Sequence, residues 1–214
     1  MNKATRINVA ILGVIFGISG MSHGFFETLQ GNVPTGGLFI YAIGEAQKMW
    51  PHGNEPAFTL FPTFLLAGIS SMIVGLTLIV WSLRSVHKKN GPTVLLILFI
   101  VLLLVGGGVA QVLFFPFLWL VATRIHQPLL WWRKVLSAGV QKSLARLWPW
   151  TLVSSAGLLV FALEIATTGF VPGVSDPELA LSIMLFCLGL EVITLPLTFM
   201  TGFARDIVLS PNPS

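Results

Sequence analysis

The sequence predicts an all-α fold, a polytopic transmembrane bundle of about five membrane-spanning helices with one or two interfacial amphipathic helices. Apolar runs near residues 7–26, 57–83, 93–123, 149–171 and 179–203 come first. At about 1.5 Å per residue, runs of this length match a hydrocarbon core roughly 30 Å thick. Composition agrees, because 55% hydrophobic and 9% charged residues leave a soluble domain of 214 residues far too little polar surface. The charge also lies mostly between the runs. Residues 1–214 therefore read as a single integral membrane domain.

Taken in order, Lys3 and Arg6 followed by Ile7–Met21 and the small Ser22 share the layout of a signal peptide. With Met1 in place the segment is read as an uncleaved first span. In Gly37–Trp50 the apolar Phe39, Ile43, Ala46 and Trp50 recur at helical spacing, which predicts a short in-plane helix. Ala67, Ser71 and Gly75 form a small-residue seam on the second span that admits a close neighbour. The third run, Pro92 to Thr123, is about 48 Å long as a helix, long for one span and short for two. A single tilted helix is the favoured reading, and a re-entrant hairpin turning at Gly106-Gly107-Gly108 is the alternative. Pro128–Trp150 carries the stripe Trp132, Leu136, Val140, Leu144 and Leu147 beside Lys134 and Lys142, and reads as an amphipathic segment on anionic headgroups. Glu27 ahead of Gly31-Asn32-Val33-Pro34 is echoed by Glu164 ahead of Gly169-Phe170-Val171-Pro172, a faint repeat of helical hairpins over 7–84 and 149–205.

The basic residues bear on the third run. With one crossing the twelve divide 5 to 7 between the two sides, whereas a re-entrant run places eleven of twelve on one side. Lys3, Arg6, Arg84, Lys88 and Lys89 share a side either way, expected to be the cytoplasmic face of the cell membrane. The pI of about 9.6 is matched by anionic lipid headgroups at 128–150 rather than nucleic acid, since the cations flank apolar runs. A single cysteine, Cys187, excludes an intrachain disulfide and a multi-cysteine metal cluster. No phosphate loop, zinc-protease spacing or nucleophile elbow is present, and no cofactor or metal is expected.

Ionisable groups inside apolar runs are the functional pointers, because a carboxylate in hydrocarbon must be neutral, paired or hydrated. Glu191, with Thr194 and Thr198 on its face, and Glu164 on the preceding run are joined by a short loop and could meet, share a proton and form a pathway with Gln111, the less favoured of two readings. Each could instead bond a neighbouring helix as polar glue. His23 and Glu27 form an i,i+4 pair near Ser19 and Gln30, which reads first as a helix-end hydrogen bond at the interface and second as a dyad for acid–base work.

His23-Gly-Phe-Phe-Glu27, then Phe58-Thr59, then Val105-Gly106 through Gln111-Val112-Leu113-Phe114-Phe115 resembles the order of motifs in the emopamil-binding family of sterol isomerases. The resemblance implies a proton relay through His23 and Glu27 acting on a hydrophobic polycyclic substrate. This chain departs from that pattern at Pro62 and Thr63, where the family carries a carboxylate, and at Gln111, where it carries an acid. Three roles follow, in order: a lipid-binding or accessory membrane protein, alone, as a homo-oligomer or with a partner subunit; a proton-coupled transporter or channel using Glu164 and Glu191; and a lipid-modifying enzyme using His23 and Glu27. A pocket lined by Glu164, Glu191 and Gln111 favours transport, and one opening sideways near His23 favours the binder or enzyme.

Overall fold

The computed structural model describes residues 1–210 and has the all-α membrane bundle that the apolar runs predict. In chain order the elements are α1 (Lys3–Leu29), a ribbon of β1 (Phe39–Tyr41) and β2 (Pro56–Phe58), α2 (Phe64–Arg84), α3 (Gly91–Leu104), α4 (Phe115–Ala122), α5 (Leu130–Val135), α6 (Ala138–Thr168) and α7 (Pro177–Leu209). Among the described residues four helices, α1, α2, α6 and α7, are long and apolar enough to cross a membrane.

The third apolar run corrects the single-helix reading. It folds as a hairpin, with α3 about 21 Å and α4 about 12 Å long, joined through a 3-10 turn at Ala110–Leu113. Both ends lie at the end of the bundle that holds Lys3: His126 Nε2 donates to the His87 carbonyl at 2.5 Å, and Asn2 N donates to the Ile125 carbonyl at 2.7 Å. Gly106 (φ 116°) and Gly108 (φ 93°) make the reversal, in a backbone region that side chains other than glycine's rarely adopt. A turn at this depth leaves backbone groups exposed to hydrocarbon unless protein supplies partners. The loop after α1 supplies them, with Leu60 N donating to the Leu104 carbonyl and Val109 N to the Pro56 carbonyl. Phe99 and Phe115 stack between the arms with centroids 4.2 Å apart, and Leu95, Leu102 and Leu118 join Phe16 and Phe199 in the core.

α1 packs chiefly on α2, and α6 on α7. The seam at Ala67, Ser71 and Gly75 finds its neighbour within the chain: Ser71 Oγ donates to the Gly20 carbonyl at 3.0 Å, and Gly68 and Gly75 lie against the carbonyls of Gly24 and Gly17. Such close backbone approach gives van der Waals contact that lipid cannot match. With the third run doubled back, the hairpins over 7–84 and 149–205 run parallel.

The halves are tied at both ends. At the basic end Asp206 of α7 accepts from Ala4 N and Thr5 N at 2.8 Å each and from Thr5 Oγ1 at 2.7 Å, meeting the free amides of the first turn of α1. Asn8 donates to the Thr198 carbonyl and accepts from Trp148 Nε1. At the other end Trp50 Nε1 donates to the Ala166 carbonyl at 3.0 Å, and its ring covers Gly169, the left-handed cap of α6.

Both predicted amphipathic helices need correction. Gly37–Trp50 is no helix: Phe39-Ile40-Tyr41 pairs with Pro56–Phe58 as the short antiparallel ribbon, and turns follow. Adjacent glycines before it and an aromatic and β-branched triplet within it favour extended chain over one helical turn. Pro128–Trp150 is two pieces, α5 and the first turns of α6, with Leu136 extended between them. Pro149 lies inside α6.

Candidate functional site

A cleft of about 190 Å³ separates α1 from α6. Along α1 its lining runs from Ile15 and Ile18 to Ser19, Ser22 and His23, and along α6 from Val160 and Leu163 to Glu164 and Thr167. Both walls thus turn from apolar to polar toward the end carrying Trp50. Ile18 is 56% and Val160 51% exposed, so the cleft opens sideways, between the helices, where lipid would stand.

Glu55 completes the polar end, its Oε2 standing 3.8 Å from His23 Nε2. It arrives from the loop, held by β2 beginning at Pro56 and by His52, whose Nε2 is 2.8 Å from Glu178 Oε1 on α7. Burial pushes the Glu55 carboxyl above the usual carboxylate range.

Behind His23 lies a second, closed layer. Ser19, His23 and Glu27 recur every four residues on one face of α1, and the hairpin tip runs antiparallel along that face. Gln111 Nε2 donates to Ser19 Oγ at 3.2 Å and to the Gly107 carbonyl at 2.6 Å, Gly108 lies on the His23 ring, and Gly106 lies on the Glu27 carboxylate. Glu27 is fully buried and neither oxygen meets a donor. His23 Nδ1 and Gln111 Oε1 are likewise unpartnered. Side by side these groups form a buried polar layer next to the cleft, which the His23 ring joins.

The structure separates other residues that the sequence brings together. Glu191 is 1% exposed and accepts from Ser155 Oγ at 2.5 Å and Thr194 Oγ1 at 2.7 Å, so it joins α6 to α7 and meets neither Glu164 nor Gln111. Glu164 stands nine residues beyond Ser155 on the same helix, about 13 Å away, and faces the cleft. His23 and Glu27 share a face without a hydrogen bond, and Gln30 turns instead to the carbonyls of Tyr41 and Ala42. Glu55 is the site residue that the sequence reading missed. Its one signal is position, a carboxylate before proline at the entry to an apolar run. Among the described residues no group of three or more His, Cys, Asp or Glu stands ready to hold a metal ion.

The segments around His23, Thr59 and Val105 converge here: Thr59 bridges to Val105, and the tip following Val105 covers His23 and Glu27. Comparison of the chain with protein-family models, curated proteins and solved structures gives no match. The functional reading accordingly rests on the cleft.

Proposed function

We propose that this protein binds an amphiphile from the surrounding lipid in the cleft between α1 and α6. The observation that carries the reading is the graded lining, apolar at Ile15, Ile18, Val160 and Leu163 and polar at Ser22, His23, Glu55 and Glu164, behind a sideways mouth. Its volume is below the roughly 300 to 1,000 Å³ of sites that engulf a drug-sized ligand. A polar head and the adjoining carbons fill it, and the remaining chain or ring system stays in lipid. Binding of this kind needs no carrier cycle, and it is favoured over transport by Glu191 bonding Ser155 and Thr194 while Glu164 faces the cleft. We place the protein in the cell membrane with its N-terminus cytoplasmic, because eleven of twelve basic residues share the end that holds Lys3.

Lipids co-purifying with the full chain test this. Val160→Trp fills the mouth, and one lipid class enriched with the unaltered protein should fall to the background of the bulk extract. Equal lipid profiles for the two proteins, both folded, would reject the cleft as a binding site.

A second reading is favoured by the pairing of His23 with Glu55 at the polar end, an acid and a base within reach of a bound head. On this reading the protein also isomerises its ligand. Conversion of the enriched lipid by the purified protein, lost in His23→Ala with binding retained, distinguishes enzyme from binder.

A further inference from the structure

The basic end carries charge that no carboxylate among the described residues pairs with. Among the described residues none of the eleven cations there lies within ion-pair distance of a carboxylate; the Lys48–Glu45 ion pair and the histidine–carboxylate contacts of His23 with Glu55 and His52 with Glu178 all belong to the opposite end. Asp206, the carboxylate at the basic end, is taken up by the amides and hydroxyl of Ala4 and Thr5. The described residues thus supply these cations with no counter-charge.

One part of this end is built as a surface. Arg133 Nη2 donates to the Ile207 carbonyl at 3.3 Å and Trp132 packs on Phe203 with centroids 5.2 Å apart, which docks α5 on α7. Gln141 Nε2 then donates to the carbonyls of Leu136 at 2.7 Å and Arg133 at 3.3 Å, fixing the elbow between α5 and α6. The elbow turns Lys134, Lys142 and Arg146 outward. Beside these cations in the chain it exposes Trp131, Val135, Leu147 and Trp150. At 31 residues α6 is about 46 Å long, some 16 Å more than a hydrocarbon core, so its first turns stand at headgroup depth. Exposed tryptophan interleaved with unpaired cations suits that boundary, where the ring lies among acyl carbons and the charge meets phosphate.

We propose that the α5–α6 elbow is a docking surface for phosphate-bearing anionic lipid headgroups of the adjoining leaflet, with Lys134, Lys142 and Arg146 as the headgroup-binding residues. It lies at the far end of the molecule from the cleft and does not depend on what the cleft binds.

Native mass spectrometry of the full chain, released from micelles holding equal phosphatidylglycerol and phosphatidylcholine, tests it. The unaltered protein should retain phosphatidylglycerol preferentially. The triple variant Lys134→Gln, Lys142→Gln, Arg146→Gln should lose that preference by roughly fivefold per cation removed, and replacing Lys134 and Lys142 by Arg should keep it. All three side chains are exposed, so thermal stability should stay unchanged. Equal retention of the two lipids by the unaltered protein would overturn the proposal. So would an equal loss in Arg84→Gln, Lys88→Gln, Lys89→Gln, which would assign the effect to overall charge. Displacement of the lipid by millimolar inorganic phosphate would also overturn it, by showing a free-anion site.

Discussion

The glycines of the hairpin tip show most directly how single residues build the site. Gly106 and Gly108 combine positive φ with contact on the Glu27 carboxylate and the His23 ring, so an added Cβ is disfavoured twice, by backbone strain and by collision. Gly106→Ala or Gly108→Ala should lower stability by about 1–3 kcal/mol, read as a fall in thermal midpoint in detergent. Gly157, open on its Cβ side and inside α6, should tolerate alanine with no loss. Glu55 gives a pH signature. Its raised pKa means that the folded chain holds a proton which the unfolded chain has released, so stability falls as pH rises above the ordinary carboxylate range. Thermal midpoints measured from about pH 4 to about pH 7 should decline, and Glu55→Gln should remove that part of the slope. An unchanged slope in the variant would place the titrating group elsewhere.

At the scale of elements, what was legible in the sequence depended on whether a local pattern had one physical solution. Run 179–203 is continuous and apolar and became one helix, as did run 57–83 from Phe64 onward, because lipid leaves the backbone no other way to satisfy its hydrogen bonds. The Ala67, Ser71 and Gly75 seam was legible for the same reason, though its partner glycines on α1 were not singled out. The run over 93–123 had two solutions, and hydropathy favours the wrong one. What decides it is remote: Pro56 and Leu60 cap the tip from another loop, a pairing with no local trace. Glu191 bonds a neighbouring helix, as the polar-glue reading has it, and misses Glu164 through register. Antiparallel packing sets Ser155, not Glu164, opposite it, and Ser155 is an unremarkable residue until α6 and α7 are aligned. His23, Glu27 and Gln111 were legible as isolated polar residues in apolar runs, whereas Glu55, in a loop, was not. The hairpin also predicts an accessibility pattern. In a Cys187→Ser background, an impermeant thiol reagent added to intact cells should label Lys48→Cys and spare both Lys88→Cys and Arg124→Cys. Labelling at 124 with protection at 88 would restore the single crossing.

For the whole molecule, the parts divide the labour by depth. Asp206, Asn8 and Trp148 clamp the two helical hairpins at the basic end. Trp50 and His52 bridge them again at the opposite end. Between these ties α1 and α6 stand apart, and the re-entrant hairpin fills one side of that gap and leaves the other open as the cleft. The most direct measurement of this account is photo-cross-linking from within the mouth. A benzophenone amino acid at Ile18 should capture one lipid class far above its abundance in the membrane, while the same probe at Ile69, exposed on α2, should capture lipids in proportion to the bulk. Matching lipid profiles from the two positions would contradict the central claim that the cleft is a binding site.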